Sequence, residues 1–329
     1  MAAIEKLKGK KVFVTGADGF IPSYVCESLV EAGADVTALA RRNSSAVLKN
    51  IGHLKKDLKV IWGDITDGSS MIRFTKGMDI IYHLAANSHV AYSIEQPEES
   101  FMIQCQGTLN IMEAARFNDV ERVIHAGSAE EYGLVEDVRI KEDFPLMPRS
   151  PYAAGKVAAD RLMYSYWCSY GTPVVMSRFF GIYGPRQSAE KAIPKFILQI
   201  RDGKPISIYG DGSQTRDFMF GTDAGKAYAL LGIADNVVGN VLNIGTGVKY
   251  PILSIAEDIV RLMGKDGEAM IEKDMNLKPG EASHLVADPT DLQTALGWKP
   301  EVAWEDGLQR TIDFFMKNAD RYSDLAGRI

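Results

Sequence analysis

Cysteine is scarce in this sequence: Cys26, Cys105 and Cys168 are widely spaced and form no CxxC pair, which excludes a disulfide framework and a thiolate metal site. No run of about 18 apolar residues occurs, so no segment reads as membrane-spanning. Met1 to Lys11 carries no apolar stretch of the signal-peptide kind. A basic excess is lacking too, since 37 Lys and Arg against 43 Asp and Glu leave a net charge of −6. That balance argues against nucleic acid as the main partner. His53, His83, His89, His125 and His284 show no metal-ligand spacing with carboxylates, so no metal is expected. These absences describe a chain of cytoplasmic type. What is present, 46% hydrophobic, 24% charged and 9% aromatic residues, is an ordinary globular composition. At about 150 residues per domain, the length suits roughly two domains.

Short apolar runs alternate with helical patterns along the first half. Strands are expected at Lys11–Thr15, Asp35–Ala40, Lys59–Gly63, Asp79–Leu84, Arg122–Ala126 and Pro173–Arg178, with helices near Pro22–Ala32, Glu98–Phe117 and Tyr152–Tyr170. Such alternation marks an α/β protein whose parallel sheet is covered on both faces, because parallel neighbours need crossover connections. Residues 1–180 therefore read as a doubly wound sheet. Beyond Arg178, proline and glycine cluster at Gly184-Pro185, Gly203 to Pro205 and Gly210 to Gly212, and residues 181–329 read as a smaller, loop-rich lobe. A segment at 240–244 could return to the first sheet as a strand, which would interleave the two parts.

Gly16-Ala-Asp-Gly19 lies between the first strand and the first helix. There a glycine turn lets the backbone approach a pyrophosphate and aims helix N-terminal amides, those of Phe20 and Ile21, at it. Two glycines three apart also suit a plain strand–helix turn; the alternation behind them favours dinucleotide binding. Where a third glycine would allow close helix packing, the chain has Pro22, which a first helical turn tolerates. The second strand runs into Ala40-Arg-Arg-Asn-Ser44 rather than to an acidic residue. Arg41 and Arg42 suit a ribose 2′-phosphate, which favours NADP over NAD, although a solvated basic turn explains them too. Asp64, in Gly63-Asp-Ile65, is placed to meet an adenine.

Tyr152 and Lys156 stand one turn apart on one helix face. A nearby cation stabilises phenolate and lowers the tyrosine pKa, making the phenol a general base for a sugar hydroxyl. Ala126-Gly-Ser-Ala-Glu-Glu-Tyr-Gly133 follows the fifth strand, where ligands gather in open α/β sheets. Ser128 can hydrogen-bond the oxygen that Tyr152 deprotonates, and Glu130 can serve as a carboxylate base. Glu131 reads as a solvated carboxylate or one that supports the site from behind.

The ordered set of Thr15-Gly-Ala-Asp-Gly19, Gly63-Asp-Ile65, His83-Leu-Ala-Ala86, Ser128 with Tyr152 and Lys156, and Gly184-Pro185 resembles the extended short-chain dehydrogenase/reductase family. Within it, the chain is similar to the nucleotide-sugar epimerases and dehydratases. The resemblance continues through Tyr209-Gly-Asp-Gly-Ser-Gln-Thr-Arg-Asp217 and Pro279-Gly-Glu281. It implies a Rossmann-type doubly wound parallel sheet with a smaller, interleaved C-terminal lobe for a nucleotide-diphosphate sugar. It also implies a homodimer built on the helices near Glu98–Phe117 and Tyr152–Tyr170. The implied cofactor residues are Gly16, Gly19, Phe20, Ile21, Arg41, Arg42, Asp64, Ile65, Leu84, Ala85, Ala86, Tyr152 and Lys156. Those implied for substrate are His89, Ser128, Arg186, Arg216 and His284, the last three toward the diphosphate and nucleoside.

Glu130 resembles the carbon-5 base of nucleotide-sugar 4,6-dehydratases, which makes dehydration the expected reaction. A 4-epimerase comes next, then a 4-keto sugar reductase, and last a non-enzymatic dinucleotide sensor. Asn87-Ser-His-Val90 and Glu190-Lys-Ala-Ile-Pro194 resemble dTDP-glucose 4,6-dehydratases, whereas Arg41-Arg-Asn-Ser-Ser45 and Pro148-Arg-Ser-Pro-Tyr152 resemble GDP-mannose 4,6-dehydratases, so the nucleotide stays open. Three positions depart from the pattern. Ala129 replaces the aspartate that protonates the leaving hydroxyl in dTDP-glucose dehydratases, Gly181 replaces an asparagine near the substrate, and Gln104 replaces an asparagine before Gly107-Thr108.

Overall fold

The computed structural model describes residues 4–41, 47–136, 138–265, 270–274, 284–318 and 322. Seven strands form its main sheet: β1 Lys11–Thr15, β2 Asp35–Ala40, β3 Lys59–Trp62, β4 Ile80–His83, β5 Arg122–Ser128, β6 Val174–Phe179 and β7 Val241–Ile244. Their spatial order is β7-β6-β5-β4-β1-β2-β3 and all pairings are parallel. The order reverses between β1 and β4, which opens a crevice at the carboxyl ends of these two strands.

Side-chain alternation along β1 shows why both sheet faces must be covered. Val12 and Val14 point into one apolar cluster, with Leu29 and Tyr228. Phe13 points into the opposite one, with Ile81, Ile111 and Met163. The helix Phe20–Glu31 packs closely on the helix Gly221–Leu231. A Cβ on Gly225 would lie 2.6 Å from the carbonyl carbon and oxygen of Tyr24, and one on Gly221 would lie 2.2 Å from its ring. The close approach questioned at Pro22 is thus provided by glycines of the facing helix.

The strand at the end of the returning segment is present: β7 pairs with β6, Val241 opposite Met176 and Ile244 opposite Phe179. After β6 the chain also builds a second apolar cluster from the helices Ala192–Arg201, Ile252–Leu262 and Trp304–Lys317, with Phe196, Ile259, Leu308 and Phe315 at its centre. Short strands frame that cluster. Gly181–Tyr183 pairs with Phe218–Phe220, and Thr215–Arg216 lies between Tyr250–Pro251 and His284–Leu285.

One expected helix differs in form. Glu98–Phe117 is divided into Pro97–Phe101, a π-helical turn at Met102–Gln106, and Gly107–Phe117. Packing explains the widened turn. Gly107 is pressed against Ile65, whose Cδ1 lies 2.4 Å from the place of a Cβ, and the buried Gln104 seats against Gly155 of the next helix. Gln104 Nε2 donates to Ser100 Oγ at 3.0 Å. A side chain longer than asparagine is thus accommodated by the absence of one at Gly155.

Gly225→Ala should lower stability although alanine favours a helix by about 1 kcal/mol. Overpacking against backbone costs about 1–3 kcal/mol, so the net change read by urea denaturation is a loss. A gain in midpoint would contradict the close helix approach.

Candidate active site

The turn after β1 holds Gly16 at φ +68°, and a Cβ there would meet Ala85 Cα at 2.8 Å. Gly19 is the N-cap of the Phe20–Glu31 helix and no side chain caps it, so the first amides face the crevice. Asp18 points the other way. Its carboxylate accepts from the backbone N–H groups of Lys49, Asn50 and Ile51 at 2.9, 2.8 and 3.2 Å, tying the turn to the segment after β2.

Behind the turn, Thr15 Oγ1 accepts from Leu84 N and Ala85 N at 3.1 and 3.0 Å. Its own proton is then directed to His83 Nδ1 at 2.9 Å, which leaves His83 Nε2 to donate to Thr108 Oγ1 at 3.1 Å. This chain of bonds fixes a neutral imidazole, in agreement with burial lowering the His83 pKa to about 3. The uncapped helix start and the close backbone at Gly16 fit a dinucleotide pyrophosphate.

The catalytic candidates converge at the end of β5. Ser128 N donates to Glu131 Oε1 at 2.7 Å, Ser128 Oγ accepts from Glu130 N at 3.2 Å, and the Ser128 side chain lies close enough to the Tyr152 phenol to draw its pKa down. Tyr152 and Lys156 sit in the first turns of the helix Pro151–Tyr170, whose N-cap Ser150 accepts from Ala153 N at 3.1 Å. Lys156 Nζ donates to Ala126 O at 2.6 Å rather than to the phenol. Here the sequence expectation is corrected. Burial pushes the Tyr152 pKa up to about 12, with Ser128 opposing it and Glu131 and Glu130 adding to it. Burial likewise draws the Lys156 ammonium down, against the carboxylates of Glu131 and Asp160.

Glu131 is not solvated; it is fully buried. It pairs with Arg178 of β6, whose Nε donates to Glu131 Oε2 at 3.0 Å, Nη1 to Tyr132 Oη at 2.8 Å and to Glu142 O at 3.1 Å, and Nη2 to Asp160 Oδ2 at 2.5 Å. Burial works against the guanidinium charge, but Asp160, Tyr132 and Glu131 more than offset it and raise the Arg178 pKa. Glu131 thus takes the second of its two sequence readings, behind the site, whereas Arg178, Asp160, Asp18 and Thr15 were not among the residues assigned a site role from sequence. A charged residue inside an otherwise apolar strand, Val174 to Phe179, was the available signal for the first of them.

The remaining candidates separate into groups. His89 Nδ1 contacts Glu190 Oε2 at 2.8 Å, joining the segment after β4 to the loop before the Ala192–Arg201 helix. Arg216 and His284 lie on neighbouring strands, with His284 opposite Thr215 and bonded to its Oγ1 at 2.8 Å. Arg186 stands apart from both. Both its Nη atoms are held by the Glu27 carboxylate, Nη2 at 2.9 Å, and it stacks over Tyr24 at 4.1 Å, so the structure gives it the role of joining the second lobe to the first helix. Gly181 cannot bear a side chain, because a Cβ would lie 2.5 Å from Asp217 O and 2.8 Å from the Phe218 ring. Asp64 Oδ1 accepts from Thr66 N and Thr66 Oγ1 at 2.9 and 2.8 Å. Ile65 and Leu84 are buried, Ala86 is half-buried and Arg41 is exposed. Arg42 and Pro279 to Glu281 lie outside the described residues. No helix among the described residues is long and apolar enough to cross a membrane.

The profile of the family described as GDP-mannose 4,6 dehydratase matches residues 13–311. A trifunctional UDP-glucose 4,6-dehydratase/UDP-4-keto-6-deoxy-D-glucose 3,5-epimerase/UDP-4-keto-L-rhamnose-reductase of Arabidopsis thaliana is 34% identical over 98% of this chain and 49% of its own length. The chain thus spans about half of that relative. The dTDP-D-glucose 4,6-dehydratase of Bos taurus is 33% identical over 94% of this chain and 89% of its own. Among solved structures, the Streptomyces venezuelae dTDP-glucose 4,6-dehydratase DesIV with NAD bound is 29% identical with a TM-score of 0.88, covering 95% of this chain and 99% of its own. A UDP-N-acetylglucosamine 4-epimerase of Methanobrevibacter ruminantium is 31% identical with a TM-score of 0.86, covering 94% and 99%.

Two outcomes follow from the buried charges. Arg178→Met strands Glu131 and Asp160 without their cation and should cost about 3–5 kcal/mol in urea denaturation; a loss below 1 kcal/mol would contradict the pairing. His83 and His125 are both held neutral by burial, so their folded pKa values lie below the unfolded value near 6.5. Their stabilisation is complete above that value and is lost as pH falls below it, by about 2 kcal/mol per histidine at pH 5. Neither ring nitrogen of His125 has a partner among the described residues. His125→Leu should therefore flatten the fall in melting temperature between pH 7 and 5, and an unchanged slope would contradict the assignment.

Proposed function

Because the chain belongs to the GDP-mannose 4,6 dehydratase family of extended short-chain dehydrogenases/reductases, we propose that it is a nucleotide-sugar 4,6-dehydratase. The observation that carries this reading is Glu130, an exposed carboxylate on the same turn as Ser128 and close enough to the Tyr152 phenol to raise its pKa. A dehydratase needs a base for carbon 5, and an epimerase does not.

When bound, a nicotinamide dinucleotide supplies a hydride acceptor at carbon 4 of the sugar and a donor at carbon 6. Gly16, Gly19, Phe20 and Ile21 would hold its pyrophosphate, and Asp64, Ile65 and Leu84 to Ala86 its adenosine side. Lys156 Nζ, anchored on Ala126 O, keeps further N–H donors for a ribose hydroxyl. NADP is placed ahead of NAD on the exposed Arg41; against that stands the NAD in the DesIV structure. Tyr152 Oη takes the proton of the 4-hydroxyl while Ser128 Oγ holds the oxygen between them. Glu130 then removes the carbon-5 proton, which the 4-ketone has made acidic, and water departs from carbon 6. Arg216 and His284 would meet the diphosphate and nucleoside, with His89 nearer the sugar.

The second reading is a 4-epimerase. It is favoured by Ala129, buried in an apolar cluster with Tyr132 and Phe180 where no acid can serve a leaving hydroxyl. We also propose a cytoplasmic homodimer, on the exposed Ile94, Phe101, Met102, Tyr164 and Trp167 of neighbouring helices.

Incubation with UDP-glucose, dTDP-glucose and GDP-mannose, without added reductant, should yield from one of them a product lighter by one water. Tyr152→Phe should slow that turnover by at least about 100-fold. A stereoisomer of unchanged mass would establish the epimerase instead.

A further inference from the structure

Hydride taken from carbon 4 has to be given back to the same sugar, in the dehydratase and the epimerase readings alike. Loss of the dinucleotide between the two steps would leave the sugar oxidised and the cycle unfinished. Such a protein gains from a dinucleotide that stays bound from one turnover to the next.

In a dinucleotide-binding fold the glycine turn meets the pyrophosphate and the chain just past the second strand meets the adenosine ribose. Here these two pieces are fastened to each other. The Asp18 carboxylate accepts from the consecutive backbone N–H groups of Lys49, Asn50 and Ile51, and Asn50 Nδ2 donates back to Asp18 O at 2.8 Å. Asn50 and Ile51 are buried, and hydrogen bonds to an ionised acceptor are stronger than those between neutral groups. The glycine turn therefore cannot part from this segment without losing all of them together.

The second lobe bolts the junction from outside. Arg186 Nη1 donates to Asn50 O at 3.3 Å and, together with Nη2, to the Glu27 carboxylate on the Phe20–Glu31 helix, while the guanidinium lies over the Tyr24 ring. Tyr24 in turn donates its hydroxyl to Pro185 O at 2.8 Å. These contacts hold Arg186 at φ +74°, a backbone conformation that a residue with a long side chain rarely adopts and that persists only where its surroundings impose it. Residues held in this way cluster at active sites and ligand clamps. Arg186 thus touches the helix that starts under the pyrophosphate and the segment past β2 at once, from the opposite lobe.

We propose that Asp18, Asn50, Glu27 and Arg186 form a latch that retains the dinucleotide through turnover, with Arg186 as the positioning residue by which the second lobe keeps it shut. This rests on the reading in which hydride returns to its own sugar; a reductase, which exchanges its dinucleotide at every turnover, has no use for such a latch. Arg186 has to release Asn50 and Glu27 before the segment past β2 can leave Asp18. The two ends of the link therefore act on a single opening event.

Release of NADH and of NADPH is measured for the unmodified protein, Arg186→Met, Asp18→Asn and the double variant, as the decay of dinucleotide fluorescence after a chase with excess NAD or NADP. An asparagine at position 18 offers one acceptor oxygen and turns a donor toward the backbone N–H groups. On whichever dinucleotide the unmodified protein holds more tightly, each single variant should release at least about tenfold faster, with association within about threefold. Because both substitutions act on one link, the double variant should stay within about threefold of the faster single one. Arg186→Lys keeps the charge but lacks the planar fork, so its release rate should fall between those of the unmodified protein and Arg186→Met, and it carries the test if the latter does not fold. Unchanged release in the single variants, a loss of affinity carried wholly by slower association, or effects that multiply in the double variant would overturn the latch and leave Arg186 as a structural tie between the lobes. If the unmodified protein binds neither NADH nor NADPH, the reading on which the latch rests fails with it.

Discussion

The site is organised around one buried guanidinium. Arg178 is 2% exposed on β6, and its four hydrogen bonds reach three separate pieces of chain: the turn after β5 through Glu131 and Tyr132, the loop at Glu142, and the Pro151–Tyr170 helix through Asp160. Two carboxylates and one guanidinium out of water are tolerable only while all are paired. That condition fixes the turn carrying Ser128 and Glu130 relative to the helix carrying Tyr152 and Lys156. The geometry of the proposed proton transfer therefore depends on a residue buried behind the turn and the helix that carry it.

The same logic extends outward from the strand ends. Thr15, His83 and Thr108 form a hydrogen-bonded line behind the glycine turn, and its polarity is set by two backbone donors, so the imidazole is neutral by construction. At the other end, Arg186 and Glu27 tie the second lobe to the first helix, and His89 with Glu190 ties it to the segment after β4. The two lobes are thus held together by polar contacts at two points, with the packing of Gly225 on Tyr24 behind them. Burial in the crevice also shifts proton affinities, as the raised pKa of Tyr152 shows.

How far the sequence spoke depended on the range of the forces involved. Strands Lys11–Thr15 and Asp35–Ala40 were legible residue for residue, because each is an apolar run bounded by turn or polar residues. Ser128, Glu130, Tyr152 and Lys156 were legible as a set through local spacing and family resemblance, and the fold brings the Ser128 turn and the Tyr152 helix together. Features made by distant partners were not. Arg178 finds its carboxylates 47 and 18 residues away, and Arg186 finds Glu27 at a separation of 159. The π-helical turn at Met102–Gln106 depends on Ile65 and Gly155, neither of which is its sequence neighbour. The direction of the Tyr152 shift was misjudged because i, i+4 spacing places Lys156 on the right face but cannot show how deeply the phenol is buried.

The central claim is that hydrogen removed from carbon 4 is delivered to carbon 6 of the same sugar while Glu130 handles carbon 5. Deuterium at carbon 4 of the accepted nucleotide sugar tests it most directly, with the product analysed by NMR. The account predicts deuterium at carbon 6 of a 4-keto-6-deoxy sugar and, in ordinary water, protium at carbon 5. Deuterium found back at carbon 4 of a sugar that still bears its 6-hydroxyl would contradict it.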